Sequence, residues 1–168
     1  MNMQNKAVIF DRDGTLNIDV NYLHKVEDFS WVPGAVEALV WLSKNNYELY
    51  VVTNQSGIAR GYFTINDMQK VHDYMNVELE KVGVKIKKFY FCPHLKEGKI
   101  KEFAIDCDCR KPKAGMLLQC LKENNLSPDN CVVIGDSERD LESAKNANIK
   151  GFLYSGGSLL EFVKKIGL

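Results

Sequence analysis

The chain has 168 residues, and its 22 Lys and Arg balance its 22 Asp and Glu, so the formal net charge is zero. That length suits one domain able to bury its own core, and 45% hydrophobic with 26% charged residues is an ordinary globular composition. Neutrality excludes a bulk field that gathers nucleic acid or anionic membrane, no apolar stretch approaches a membrane span, and the run Ala7 to Phe10 within Met1–Phe10 is too short for a signal-peptide core; a cytoplasmic protein with neither partner is expected.

In chain order, β-branched or aromatic runs alternate with helical patterns. The first strand, Lys6–Phe10, leads straight into Asp11-Arg12-Asp13-Gly14-Thr15. A carboxylate at a strand end can attack phosphorus, and a second can act as acid and base. Two such acids repel unless a cation lies between them, and Mg²⁺ takes oxygen ligands and phosphate esters readily. Gly14 allows a tight exit, and Thr15 can satisfy backbone or carboxylate groups. A long loop, Asp11–Pro33, precedes a helix over Gly34–Lys44.

The second strand, Glu48–Thr53, ends on Thr53-Asn54-Gln55-Ser56-Gly57, whose hydroxyl and amide can hold phosphate oxygens without adding charge. Gly57 and Gly61 let the loop approach a ligand, and Arg60 offers a cation. Ile65, Met68, Val71, Met75, Leu79 and Val82 recur at steps of three and four, which predicts a helix with Thr64 and Asp67 as its capping box. The third strand, Lys88–Cys92, opens a second long loop, Pro93–Lys113. Lysines between Lys81 and Lys101 interrupt apolar residues and read as solvated surface.

Five cysteines in a cytoplasmic setting argue against a disulfide framework. Cys92-x-His94 and Cys107-x-Cys109, with Leu95 to Asp106 between them, make a closed set of three thiolates and one imidazole, the pattern of structural Zn²⁺. Such a site would tie down the loop and aim Arg110, the next residue. Cys120 and Cys131 read as buried free thiols. Arg110-Lys111-Pro112-Lys113 supplies the positive charge that a phosphate site needs.

A helix over Ala114–Glu123 is followed by a fourth strand, Cys131–Gly135, which ends on Asp136. Beside the first strand, it would bring Asp136 next to Asp11 and Asp13. Asp140 has two open roles, capping the Ser137–Asn146 helix or orienting Lys111. A fifth strand, Lys150–Tyr154, and a helix, Ser158–Lys165, complete an alternating β-α order. That order predicts an α/β fold with a doubly wound, mainly parallel sheet, its ligand site outside the carboxyl ends of the strands.

Asp11-Arg12-Asp13-Gly14-Thr15, Thr53-Asn54, Lys111 and Gly135-Asp136-x-x-x-Asp140 stand in the order found in haloacid dehalogenase (HAD) superfamily phosphatases, and the resemblance spans essentially the whole chain. It implies Asp11 as nucleophile, Asp13 as general acid then base, and Thr53 with Lys111 as stabilisers of the phosphoryl group. It implies Mg²⁺ held by Asp11, Asp136 and the backbone oxygen of Asp13. The lack of a large insert implies a single capless domain over 1–168, a monomer whose loops select the substrate.

The zinc loop, the run Thr53 to Gly61 and Cys107 to Pro112 narrow the resemblance to the group of heptose-bisphosphate and histidinol-phosphate phosphatases. Within it, Asp19, Tyr22, Thr53, Asn54, Gln55, Ser56, Arg110 and Lys111 are implied as contacts to a small phosphorylated substrate. The longer loop between His94 and Cys107 and the run Gly57 to Gly61 favour a heptose sugar bisphosphate over histidinol phosphate. Ser137 stands where the group leads one to expect a basic residue, and could donate a neutral hydrogen bond. Arg110, with Arg60 and Lys113, is then expected at the distal phosphate. A receiver domain phosphorylated on aspartate shares the sheet, acids, Thr and Lys, but Asp13 and the zinc loop set this chain apart. A zinc-supported binding module without activity would not need the complete acidic set.

Overall fold

The structure, a computed structural model, describes residues 5–168; the reading of Met1–Phe10 lies partly outside them, at 1–4. Five parallel strands, β1 (Lys6–Phe10), β2 (Tyr47–Asn54), β3 (Lys88–Cys92), β4 (Cys131–Gly135) and β5 (Lys150–Leu153), make one sheet in the order β3-β2-β1-β4-β5. The direction of growth reverses at β1, so the crevice for a ligand opens between the ends of β1, β2 and β4.

The expected elements are present to within a few residues: α1 (Ala35–Lys44), α3 (Ile65–Glu80), α4 (Gly115–Glu123), α5 (Glu138–Asn146) and α6 (Leu159–Lys165). The single-turn α2 (Gly57–Arg60), read in the sequence only as a flexible loop, packs Gly57 against the Phe63 ring, where a side chain would overlap the aromatic edge. The helical pattern read through Val82 stops earlier, since α3 ends at Glu80, and Ile65 and Val82 are 37% and 48% exposed.

Alternation along the strands supplies both faces of the sheet with apolar side chains, and a parallel sheet needs both covered. Val8, Phe10, Leu49 and Val51 pack with Leu39 and Leu42 of α1, Val71, Met75 and Leu79 of α3, and Leu159 and Val163 of α6. Ala7, Ile9, Tyr50 and Val52 face the other way, onto Met116, Leu117 and Cys120 of α4 and Ala144 of α5. Cys120 and Cys131 are buried thiols of this second face. Burying each large apolar side chain contributes roughly 1.5–3 kcal/mol, which fixes the frame behind the cleft.

Thr64 caps α3 as expected: its hydroxyl accepts from the Asp67 N–H at 3.1 Å, and the Asp67 carboxylate accepts from the Thr64 N–H at 3.0 Å. Lys81, Lys87 and Lys88 of the lysine-rich stretch form exposed ion pairs with Glu78, Glu48 and Glu123. Among the described residues no helix is long and apolar enough to cross a membrane.

Candidate active site

Strand register aligns the polar exits. Phe10 lies opposite Val51 of β2 and Ile134 of β4, and Asn54 lies opposite Cys92 of β3. Asp11, Thr53, Asp136 and the start of the cysteine loop therefore emerge along one edge. There they line a cleft of about 290 Å³ together with Asp13, Asp19, Tyr22, Gln55, Ser56, Arg60, Arg110, Lys111, Arg139 and Asp140. Gly14, at φ 83°, passes so close to Asp136 that a Cβ would fall on its carboxylate, so only glycine lets the β1 loop reach that acid.

Lys111 is the buried hub. Its ammonium is 4% exposed and donates to Asp11 Oδ1 at 2.8 Å, Asp140 Oδ1 at 2.7 Å and the Val52 carbonyl at 3.0 Å. Asn54 fixes its backbone: Oδ1 accepts from the Lys111 N–H at 3.0 Å and Nδ2 donates to its carbonyl at 3.2 Å. Both polar atoms of Asn54 are thereby engaged within the protein.

The two roles open to Asp140 are filled together. Oδ1 takes Lys111, while Oδ2 accepts from the Ser137 N–H at 3.1 Å and hydroxyl at 2.8 Å. Ser137 thus gives its hydroxyl hydrogen to the helix cap, the capping role read for the pair in the sequence.

Burial pushes the Asp11 carboxyl up to about 7; Lys111 opposes the rise, and Asp140 and Asp13 add to it. Burial also works against the Lys111 ammonium, yet Asp11 and Asp140 outweigh it and hold its pKa above the ordinary value. The cleft floor is short of positive charge for its acids. Oxygens of Asp11, Asp136 and Asp140 lie within 4.8 Å of one another. Asp140 has its oxygens committed and Asp11 Oδ1 takes Lys111, which leaves the second Asp11 oxygen and the exposed Asp136 as oxygen ligands suited to a hard divalent cation. The Thr15 hydroxyl faces Asp136 Oδ1 at 3.4 Å.

Asp13 is held apart from that cluster. Arg12 Nη2 donates to both its oxygens at 3.1 Å, Arg12 Nε adds a contact at 3.2 Å, Asn17 Nδ2 donates at 3.0 Å and Gln55 Nε2 at 3.1 Å. Its side chain remains 22% exposed, toward the cleft. Gln55 also donates to Thr53 Oγ1 at 2.8 Å, linking the exits of β1 and β2.

The four cysteine-loop residues converge. Sγ of Cys92 lies 3.6 Å from that of Cys107 and 3.0 Å from that of Cys109; Cys107 and Cys109 are 3.5 Å apart, and His94 Nδ1 is 3.7 and 3.3 Å from Cys92 and Cys109. Bond lengths of ~2.3 Å to sulfur and ~2.0 Å to nitrogen imply tetrahedron edges of about 3.5–3.8 Å; three of the separations meet that range, the 3.0 and 3.3 Å contacts to Cys109 are shorter, and the set is compatible with Zn²⁺. Hydrogen bonding from Cys92 draws the Cys109 thiol down to about 5, and the same contact, with burial, pushes Cys92 up. A shared thiolate of this kind is ready to take a metal. Arg110, just beyond, donates to the His94 carbonyl at 3.4 Å while lining the cleft.

At the mouth, Asp19 Oδ1 accepts from the Asn21 N–H at 2.9 Å, and Asn21 and Tyr22 both take positive φ, 57° and 60°. That turn projects Tyr22 against Tyr62 and beneath Arg60, whose guanidinium carbon is 5.9 Å from the ring centre. Lys113 instead pairs with Asp106 at 2.9 Å and does not line the cleft, which corrects its expected place at a distal phosphate. Arg139, unanticipated from the sequence, does line it. The signal available was its position near the start of the helix that follows Asp136.

An acidic strand exit, a buried lysine and a rim of arginines on a doubly wound sheet define a phosphate-ester hydrolase of the α/β class. Known proteins agree. A HAD-hydrolase-like family profile matches residues 108–161. A D-glycero-β-D-manno-heptose-1,7-bisphosphate 7-phosphatase of Haemophilus influenzae is 46% identical over 87% of this chain and 79% of its own. A D-glycero-α-D-manno-heptose-1,7-bisphosphate 7-phosphatase of Campylobacter jejuni is also 46% identical, over 88% and 80%. The crystal structure of a D,D-heptose 1,7-bisphosphate phosphatase from B. bronchiseptica, complexed with magnesium and phosphate, superposes with a TM-score of 0.81 at 29% identity, covering 97% of this chain and 88% of that one. The chain belongs to the HAD-like phosphatases, in the family of the heptose-1,7-bisphosphate 7-phosphatases.

Proposed function

We propose that the protein hydrolyses the 7-phosphate of D-glycero-D-manno-heptose 1,7-bisphosphate, in the synthesis of nucleotide-activated heptose for surface glycans. The observation that carries this reading is the single cleft lined by Asp11, Lys111 and Asp136 together with Arg60, Arg110 and Arg139. One phosphate can be worked on at the acids while the arginine cations hold another.

In this reading an Asp11 oxygen attacks the 7-phosphorus, and the bond from phosphorus to the sugar oxygen breaks. Asp13, protonated, gives its proton to the leaving alkoxide. Water then attacks the phosphorus of the aspartyl phosphate, Asp13 takes a proton from it, and Asp11 is released with inorganic phosphate. Lys111 neutralises charge on the equatorial oxygens and the Thr53 hydroxyl donates a hydrogen bond to one of them, both held in place before the reaction. Mg²⁺, held by Asp11, Asp136 and the Asp13 carbonyl, would supply further charge neutralisation for phosphate. Asp19, Tyr22, Gln55, Ser56 and Arg110 contact the sugar and distal phosphate, while Asn54 serves by holding Lys111.

Zn²⁺ held by Cys92, His94, Cys107 and Cys109 would be structural, because a closed set of four ligands leaves no position for substrate. The molecule is a cytoplasmic monomer, one capless domain whose loops choose the substrate. Relatives named for the α and the β anomer are both 46% identical to this chain, so overall similarity does not choose between the anomers.

The test is phosphate release from both anomers of the heptose bisphosphate, from histidinol phosphate and from a heptose monophosphate. A kcat/KM highest for a bisphosphate anomer supports the reading. Preference for histidinol phosphate would replace it with the other activity of the group.

A further inference from the structure

Behind the Asp13 carboxylate lies a group that the reaction as described does not use. Arg12 is fully buried, an unusual place for a guanidinium. Its Nε and Nη2 face Asp13, and Nη2 also donates to the Leu23 carbonyl at 3.2 Å. Its remaining terminal nitrogen, Nη1, lies 3.2 Å from Nε2 of His72, sixty positions along the chain on α3.

His72 is 1% exposed and its ring stacks on Phe89 of β3, with centres 4.2 Å apart and planes 10° from parallel. Chemistry decides the ring's state. Arg12 Nη1 carries only donor hydrogens, so Nε2 must present a lone pair, and the ring proton then sits on Nδ1. Burial, and after it the Arg12 charge, hold the His72 pKa well below its ordinary value of 6.5, so the ring is neutral. Nδ1 is buried with no hydrogen-bond partner among the described residues. A buried N–H left unpaired costs about 1–3 kcal/mol, a cost that an apolar residue at 72 would avoid. His72 nonetheless stands on the buried face of α3 beside Val71 and Met75, and the feature that distinguishes it there is the acceptor it offers Arg12.

We infer that His72 is a positioning residue for proton transfer: its Nε2 fixes the plane of the Arg12 guanidinium, which in turn holds the Asp13 carboxylate toward the leaving oxygen. This rests on Asp13 being the acid and base. Without the acceptor, Arg12 can rotate, and the fork that holds both Asp13 oxygens loses its alignment. The chemistry affected is proton donation, which matters most when the leaving group is poor.

The experiment compares kcat/KM for the heptose bisphosphate with kcat/KM for p-nitrophenyl phosphate, whose phenolate leaves without acid assistance. The ratio is taken within one preparation, so any unfolded fraction cancels. His72→Leu should lower the ratio by about tenfold or more, part of the roughly 10²–10⁴ that acid–base catalysis contributes. His72→Gln, which can present an amide oxygen to Arg12, should restore most of it. If His72→Leu yields no folded protein, Arg12→Lys, which keeps the charge but loses the fork, should lower the ratio likewise. A ratio unchanged in His72→Leu, or lowered equally in His72→Gln and His72→Leu, overturns the inference, as does an unchanged ratio in Arg12→Lys. Asp13→Asn separates the two levels. If it leaves the ratio unchanged, the assignment of Asp13 itself fails; if it lowers the ratio while His72→Leu does not, only the role of His72 fails.

Discussion

Asp140→Asn is the sharpest test of the cleft's construction, because the substitution preserves size and changes only the charge and which end can accept. Both oxygens of Asp140 face donors: Lys111 Nζ at 2.7 Å, and the Ser137 N–H and hydroxyl at 3.1 and 2.8 Å. An asparagine has one oxygen and one NH₂, so in either orientation an NH₂ meets a donor, and the charge opposite Lys111 is gone. Disrupting a buried charge pair costs about 3–5 kcal/mol. Asp11 still faces Lys111 at 2.8 Å, so the low end applies, and a damaged helix cap adds about 1 kcal/mol. The expected loss is about 4 kcal/mol, a large share of a typical stability of about 5–15 kcal/mol. At about 2–4 °C per kcal/mol for a chain of this size, Tm should fall by about 8–16 °C. Ser137→Ala, which removes only the hydroxyl contact, should lose about 1 kcal/mol. Urea unfolding of the three proteins measures the difference, and kcat/KM should fall in Asp140→Asn with the loss of one Lys111 anchor. Equal destabilisation by the two substitutions, or an unchanged kcat/KM in Asp140→Asn, would refute the idea that Asp140 orients Lys111.

Asp11→Asn should abolish turnover while leaving the fold intact, since an amide cannot form the acyl phosphate; more than about a tenth of wild-type kcat, one factor of ten in rate, would remove Asp11 as nucleophile. Elemental analysis should find about one Zn per chain, and Cys92→Ser should lower stability and raise KM through Arg110; a variant that loses zinc but keeps its KM would break that coupling. Arg110→Ala should cost about 1.5–3 kcal/mol in kcat/KM for the bisphosphate and little for a monophosphate, with Arg139→Ala a smaller loss of the same kind; an equal penalty on both substrates would assign Arg110 to the transferred group or the fold. The neutral His72 gives a pH signature. Its folded pKa lies below the unfolded value of 6.5, so below about pH 6.5 the unfolded state binds the extra proton. The associated stability is present above that pH and is lost as pH falls, with a slope of up to about 1.4 kcal/mol per pH unit. Urea midpoints between pH 7 and 5 should therefore fall more steeply for wild type than for His72→Gln, and parallel slopes would count against a neutral buried ring.

The sequence alone determined the five strands, the longer helices and the edge on which the chemistry lies, and missed only the single turn of α2 among the α-helices. Strands such as Lys6–Phe10 and Cys131–Gly135 were legible because burial on both faces of a parallel sheet demands short apolar runs, and helices because a single buried stripe repeats every three or four residues. The cysteine-loop site was legible because few residue types bind Zn²⁺. Tertiary structure decided how the polar side chains divide their work. Asn54 and Lys111 lie 57 positions apart in the chain, and Arg12 and His72 lie 60 apart. No local pattern reports that Asn54 is spent on the Lys111 backbone, that Asp140 serves a cap and a lysine at once, or that Arg139 faces the cleft while Lys113 turns to Asp106. Nor does a helical stripe show that one of its buried members, His72, comes within 3.2 Å of the Arg12 guanidinium. Periodicity records whether a side chain is buried, but a hydrogen bond depends on direction and on a partner brought near by the whole sheet, so those assignments exist only once the chain has folded.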